Sequence, residues 1–153
     1  MANASKTGVP REKEQGGIYM SAKELLVACR NIVREISAIE EQIRRIGTIG
    51  GPRNRSASVL LTAHSATNRP DAARNQKIDA YEQVLEEKRH QAVELLLQFE
   101  NLLDGVKDVT DRAILRYYYG AGWTDERIAE EMELTDRTVR GRRKGVLLQM
   151  EYV

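Results

Sequence analysis

Seven side chains, Leu25, Cys29, Ile32, Ile36, Ile39, Ile43 and Ile46, follow one another at steps of four and three without a miss. Ile78, Tyr81, Leu85, Lys88, Ala92, Leu95, Phe99 and Leu102 repeat the spacing, with Lys88 as its one polar member. A stripe with a period near 3.5 is a coiled-coil seam and fits no strand, whose side chains alternate with period two. The chain is therefore expected to be all-α. Ser21, with Glu24 three residues on, forms a capping box that starts the first helix. Glu40 with Arg44 and Glu41 with Arg45 are spaced as ion pairs, and Gly47 ends the helix. The second runs from about Asp71 to Leu103 behind Pro70, a residue tolerated in a first turn. Two such helices fold back most simply as a long antiparallel hairpin.

Two helices alone bury little core, and Leu26, Val33, Leu96 and Leu103 are apolar positions left over. Those residues point to a homo-oligomer, with a dimer as the first expectation. Lys88 reads as an edge residue that keeps its ammonium in water. Residues 1–20 mix small and polar types without period and are expected to be a disordered arm. Residues 47–70 form a connection too long for an ordinary hairpin turn, with Arg53, Arg55 and Arg69 as charges, only Val59 to Leu61 able to pack, and His64 without a metal partner nearby. A solvated loop is the expectation, and a basic loop touching DNA backbone the alternative.

Composition closes off other classes. The single cysteine, Cys29, has no disulfide partner and lies on the apolar stripe, and two scattered histidines make no zinc spacing, so no metal and no cofactor are expected. No nucleophile, base pair or metal cluster converges, so no catalytic residue is assigned and an enzyme is not expected. No apolar run approaches a membrane span, and no hydrophobic signal region opens the chain, so a reducing cytoplasm, that of a bacterial host cell, is expected.

After a break at Asp104-Gly105, Thr110 or Asp111 starts a supporting helix over DRAILRYYYG, with Gly120 at its C-cap. Its three tyrosines invite base stacking, but sharing a helix with Ile114 and Leu115 favours core packing. Next, Thr124 caps a helix from Asp125 to Met132, with Trp123 and Ile128 set as a hydrophobic staple. Thr135 repeats the device with Leu134 and Val139, leaving a turn of about three residues around Glu133. Ile128, Ala129, Met132, Leu134, Val139, Val146 and Leu147 form the inward set. The second of these helices holds Arg137, Arg140, Arg142, Arg143 and Lys144 against Asp136, a local +4 in a chain of net +1. Charge concentrated in this way suits phosphate contact, with arginines near a helix start able to reach base edges in a major groove. Six acids between Asp125 and Asp136 must face away for that to work.

Over DERIAEEMELTDRTVRGRRKGVLLQM the chain resembles the promoter-reading region four of bacterial sigma factors: Ile128-Ala129 in a first helix, a short turn, a threonine cap, a TVR core and a terminal Val-Leu pair. The resemblance implies that Asp136, Arg137, Thr138, Arg140 and Gly141 face the DNA. Gly141 departs from the longer polar side chain often found there, and glycine weakens a helix by roughly 1 kcal/mol relative to alanine. Over residues 20 to 150, the order of an AKELL helix, a polar loop, DAARNQKIDAYEQVLEEK, RYYYGAGWTDERIAEEM and a basic helix resembles small phage and prophage late-gene regulators of the RinA and ArpU kind. That resemblance implies activation of phage late promoters through host RNA polymerase.

The expected architecture is a helical hairpin over 21–104 followed by a three-helix, helix-turn-helix domain over 108–151. Arg137 and Arg140 are expected to read base edges of double-stranded DNA, with Thr124, Thr135, Arg142, Arg143 and Lys144 on backbone phosphates. Helical phase makes Arg142 the weakest member, three residues after inward-facing Val139. Two alternatives belong to other classes. A small terminase subunit would form a large ring and generally carries its DNA-binding domain first, the reverse of the order here. A polymerase-binding, anti-sigma-like adaptor would contact DNA weakly.

Overall fold

The computed structural model describes residues 20–48 and 69–151, and among them every regular element is helical. α1 is Ala22–Thr48, α2 Arg69–Leu103, α3 Val109–Leu115 continued by a π turn Arg116–Gly120, α4 Asp125–Met132 and α5 Asp136–Glu151. The arm expected at the N-terminus lies outside the described residues apart from Met20, as does nearly all of the loop with Arg53, Arg55, Val59 to Leu61 and His64.

α1 starts as its sequence dictates. The Ser21 N–H donates to Glu24 Oε2 at 2.8 Å, and the Glu24 N–H donates to Ser21 Oγ at 3.2 Å. Its end differs: Gly47 stays helical, and the Thr48 hydroxyl donates to the Arg45 carbonyl. The expected Glu40–Arg44 pair is replaced too. Glu41 takes both Arg44 and Arg45, at 2.7 and 2.8 Å, while Glu40 reaches across to Arg89 at 3.0 Å.

Cys29 lies against the Leu95 carbonyl, Glu35 against Lys88, and Ile43 shares a groove with Glu82, so α1 and α2 run in opposite directions. Leu25, Cys29 and Ile32 on α1, and Leu85, Ala92 and Phe99 on α2, are buried, and most of the remaining stripe is half-buried. Tyr81 departs from that pattern. It is exposed, as suits a phenol whose polar tip favours water. Lys88 is more than an edge residue, because its ammonium sits 3.0 Å from Glu35 across the pair.

The larger correction concerns Leu26, Val33, Leu96 and Leu103. Leu26 and Leu103 are fully buried in one cluster with Leu25, Cys29, Phe99, Val106, Leu115, Tyr119 and Val146, and Leu96 packs against it. Val33 borders Gly122. These side chains, which suggested a second copy, are covered by the chain's own C-terminal helices. A second cluster gathers Ile114, Ile128, Ala129 and Val139, with Trp123, Met132 and Leu134 around it. α5 spans both clusters, giving Val139 to the second and Val146 to the first.

Two further helix ends differ from expectation. The cap of α3 is Asp108, whose backbone is extended and whose carboxylate accepts the Asp111 N–H at 2.9 Å, so neither Thr110 nor Asp111 starts the helix. At the other end, Gly120 is not a left-handed cap. The helix widens, with the Ala121 N–H donating to the Arg116 carbonyl, and the left-handed residue is Gly122 at φ 73°. Gly120 is needed for space, since a Cβ there would stand 3.2 Å from the buried Phe99 ring.

Two measurements follow from this packing. Gly120→Ala should destabilise the fold by about 1–3 kcal/mol through overpacking. Gly141→Ala, with nothing within 4 Å of its new methyl, should stabilise it by about 1 kcal/mol. Thermal melts should therefore rank Gly141→Ala above the parent and Gly120→Ala below it. Second, burial pushes the Cys29 thiol up to about 11 from 9.0. The native state then keeps a proton that the unfolded chain loses, so stability should fall as pH rises from 9 to 11. Urea titrations across that window should show the fall, shallower in Cys29→Ala.

Candidate nucleic-acid interface

α4 and α5 are joined by three residues, Glu133, Leu134 and Thr135. Thr124 is extended, and its hydroxyl accepts the Arg127 N–H at 3.3 Å to open α4. Glu133 closes α4 in the left-handed region at φ 55°, and the Leu134 N–H donates to the Ala129 carbonyl at 2.9 Å. Thr135 then accepts the Thr138 N–H at 3.2 Å, with the two hydroxyls 2.8 Å apart. Leu134 packs in the second cluster and holds the turn down.

Helical phase sorts the polar residues of α5. Val139 and Val146 face the two cores. On the opposite side Arg137, Arg140, Gly141 and Lys144, at steps of three and four, form one exposed stripe. Thr124, Thr135, Asp136 and Thr138 are exposed beside it. Arg137 and Lys144 make no ion pair among the described residues, and Arg140 approaches Asp125 only at 3.5 Å.

Arg142 and Arg143 flank the buried stripe, Arg142 exposed and Arg143 nearly buried, and each meets carboxylates of the same chain. Arg142 bonds Asp111 at 3.0 Å and Asp108 at 3.4 Å, pinning α5 to the start of α3. Arg143, with a side chain 12% exposed, bonds Asp125 through Nε and Nη2 at 3.2 and 2.9 Å and lies 3.8 Å over the Tyr118 ring. Burial alone would lower its pKa, but hydrogen bonds to Asp125 and Tyr119 leave it raised. Both arginines expected on phosphates thus make ion pairs with carboxylates of the same chain, Arg142 from an exposed position and Arg143 from a nearly buried one.

Several residues that matter most carried no local signal. Arg30 on α1 lies 3.7 Å over the same Tyr118 ring and donates to the carbonyls of Tyr118 and, at 2.8 Å, Trp123. Two guanidinium groups that close to one centroid cannot share a face, so the ring is held between them. Nothing in the sequence links Arg30 to residues some ninety positions away. A local clue did exist for Arg127, four residues after Trp123: its guanidinium lies 3.9 Å over the indole, which stacks on Tyr117 at 4.4 Å and 11°. Tyr118 and Tyr119 meet edge to face, and Tyr119 is buried. The acids of α4 other than Asp125, namely Glu126, Glu130 and Glu131, are exposed, as are Glu133 and Asp136.

Among the described residues no three His, Cys, Asp or Glu side chains are grouped to hold a metal, and no helix is long and apolar enough to cross a membrane. No protein-family model matches the chain, and neither curated proteins nor solved structures give a significant match.

Asp125 is the common acceptor for Arg140 and Arg143. Asp125→Ala leaves a nearly buried cation without its partner and should cost about 3 kcal/mol. Arg143→Met should cost less, and the double variant should recover part of the loss in a denaturant-melt cycle.

Proposed function

We propose that α4 and α5 form a helix-turn-helix that reads double-stranded DNA, carried on a coiled-coil hairpin of α1 and α2. The protein is a sequence-specific transcription regulator of a phage or prophage, of the RinA and ArpU kind, acting at late promoters with host RNA polymerase. It performs no chemical reaction. The observation that carries this reading is the exposed stripe of Arg137, Arg140, Gly141 and Lys144, which begins two residues after the Thr135 cap and faces away from both cores. On that geometry Arg137 and Arg140 reach base edges, while Lys144, Thr124 and Thr135 meet phosphates. Gly141 leaves a gap in the stripe that lets backbone approach the duplex. A dimer remains part of the proposal, with the exposed Val93 and Leu97, one turn apart on α2, as the apolar surface it would cover.

Selection from a random duplex library at moderate salt tests it, with an enriched sequence motif as the expected outcome. On the selected duplex, Arg140→Ala should weaken binding by about 1–3 kcal/mol and relax the preference at one base pair. Equal loss on selected and random duplexes would contradict base reading.

One observation favours a second reading, a polymerase-docking adaptor: Arg142 and Arg143 are tied to acids of the chain, which reduces the cations left for DNA. Recovery of polymerase with the protein, and no enriched duplex, would select that reading.

A further inference from the structure

Beside the start of α4 the structure holds a second polar feature. Arg34 and Ser37 of α1, the backbone at Ala121 and Gly122, and Trp123, Thr124 and Arg127 enclose an open cleft of about 430 Å³. Arg34 reaches it by laying its stem across Gly122, where a Cβ would stand 3.2 Å from Arg34 Cγ. Arg127 is fixed on the other side by its stack on Trp123. Arg34 and Arg127 make no ion pair among the described residues, while the Ser37 hydroxyl donates to the Val33 carbonyl and the Thr124 hydroxyl accepts the Arg127 N–H.

Asp125, the acid next to this cleft, is engaged by Arg140 and Arg143. The attraction for an anion therefore comes from the two cations rather than from the helix end, whose first turn is Asp125 and Glu126. Thr124 of the cleft is followed in the chain by Asp125, which Arg140 of the exposed α5 stripe approaches at 3.5 Å.

We infer that this cleft binds a backbone phosphate of the duplex that α5 reads, so that the hairpin helix α1 is part of the DNA-binding surface. The inference rests on the DNA-reading proposal and extends it to a helix outside the helix-turn-helix. Two arginines lining one cleft suit a phosphodiester, whose two free oxygens accept from planar N–H donors. Such a contact adds affinity without sequence preference and sets the register of α5 on the helix axis.

Arg34→Gln tests it, because Gln keeps the stem on Gly122 and removes the charge. Binding of the full-length variant to the selected duplex and to a random duplex should be measured across a salt series, with a thermal melt as the control for folding. The expected result is a salt slope smaller by about 0.9, the contribution of one phosphate contact, with equal fractional loss on both duplexes and an unchanged melt. Arg34→Lys should recover most of the slope. A parent slope in Arg34→Gln would overturn this inference while leaving the α5 reading intact. Loss on the selected duplex alone would assign Arg34 to a base and overturn the phosphate role. Failure of the parent protein to bind any duplex would sink both.

Discussion

A single phenol ring, that of Tyr118, ties the molecule together. Arg30 from α1 and Arg143 from α5 lie on its two faces at 3.7 and 3.8 Å, and each also bonds an oxygen that fixes its place. Each cation–π contact is worth about 0.5–2 kcal/mol, depending on how much water is excluded. Its geometric effect is larger than that figure. The contacts are directional, so they fix the rotation of α5 about its axis relative to α1, which burial of Leu26, Leu115 and Val146 in one cluster does not do alone. Where the stripe of Arg137, Arg140 and Lys144 points follows from that rotation.

The rotation of α5 also gives the five cations on that helix two kinds of duty. A residue beside the buried edge has its head within reach of neighbouring segments, and Arg142 and Arg143 are so placed. Asp108, Asp111 and Asp125 meet them there. Residues on the far side have only solvent or a partner to face. A basic helix is therefore a poor guide to interface size until its phase is known, and net charge counted along the chain overstates what α5 presents.

Much of the helical organisation was legible because it depends on local rules. The Ser21–Glu24 box, the Thr124 and Thr135 caps and the Trp123–Ile128 pairing need only neighbours three to five residues apart. Misreadings arose where a residue had competing options. Asp108 outcompeted Thr110 for the α3 cap because its carboxylate reaches the Asp111 N–H, and Gly120 was spent on clearance from Phe99 rather than on a left-handed turn. The shared core was not legible at all. Leu26 and Leu103 announce only that something must cover them, and whether that is a second chain or the rest of the same one depends on contacts between distant segments. The roles of Arg30 and Arg34 were hidden for the same reason.

The central claim is that a duplex lies on the α5 stripe. Chemical modification of arginines by phenylglyoxal, read residue by residue by mass spectrometry with and without a selected duplex, addresses it directly. The account predicts that duplex protects Arg137 and Arg140 while Arg44 and Arg45, far along α1, react as in the free protein. Arg137 and Arg140 as reactive in the complex as in the free protein would contradict it.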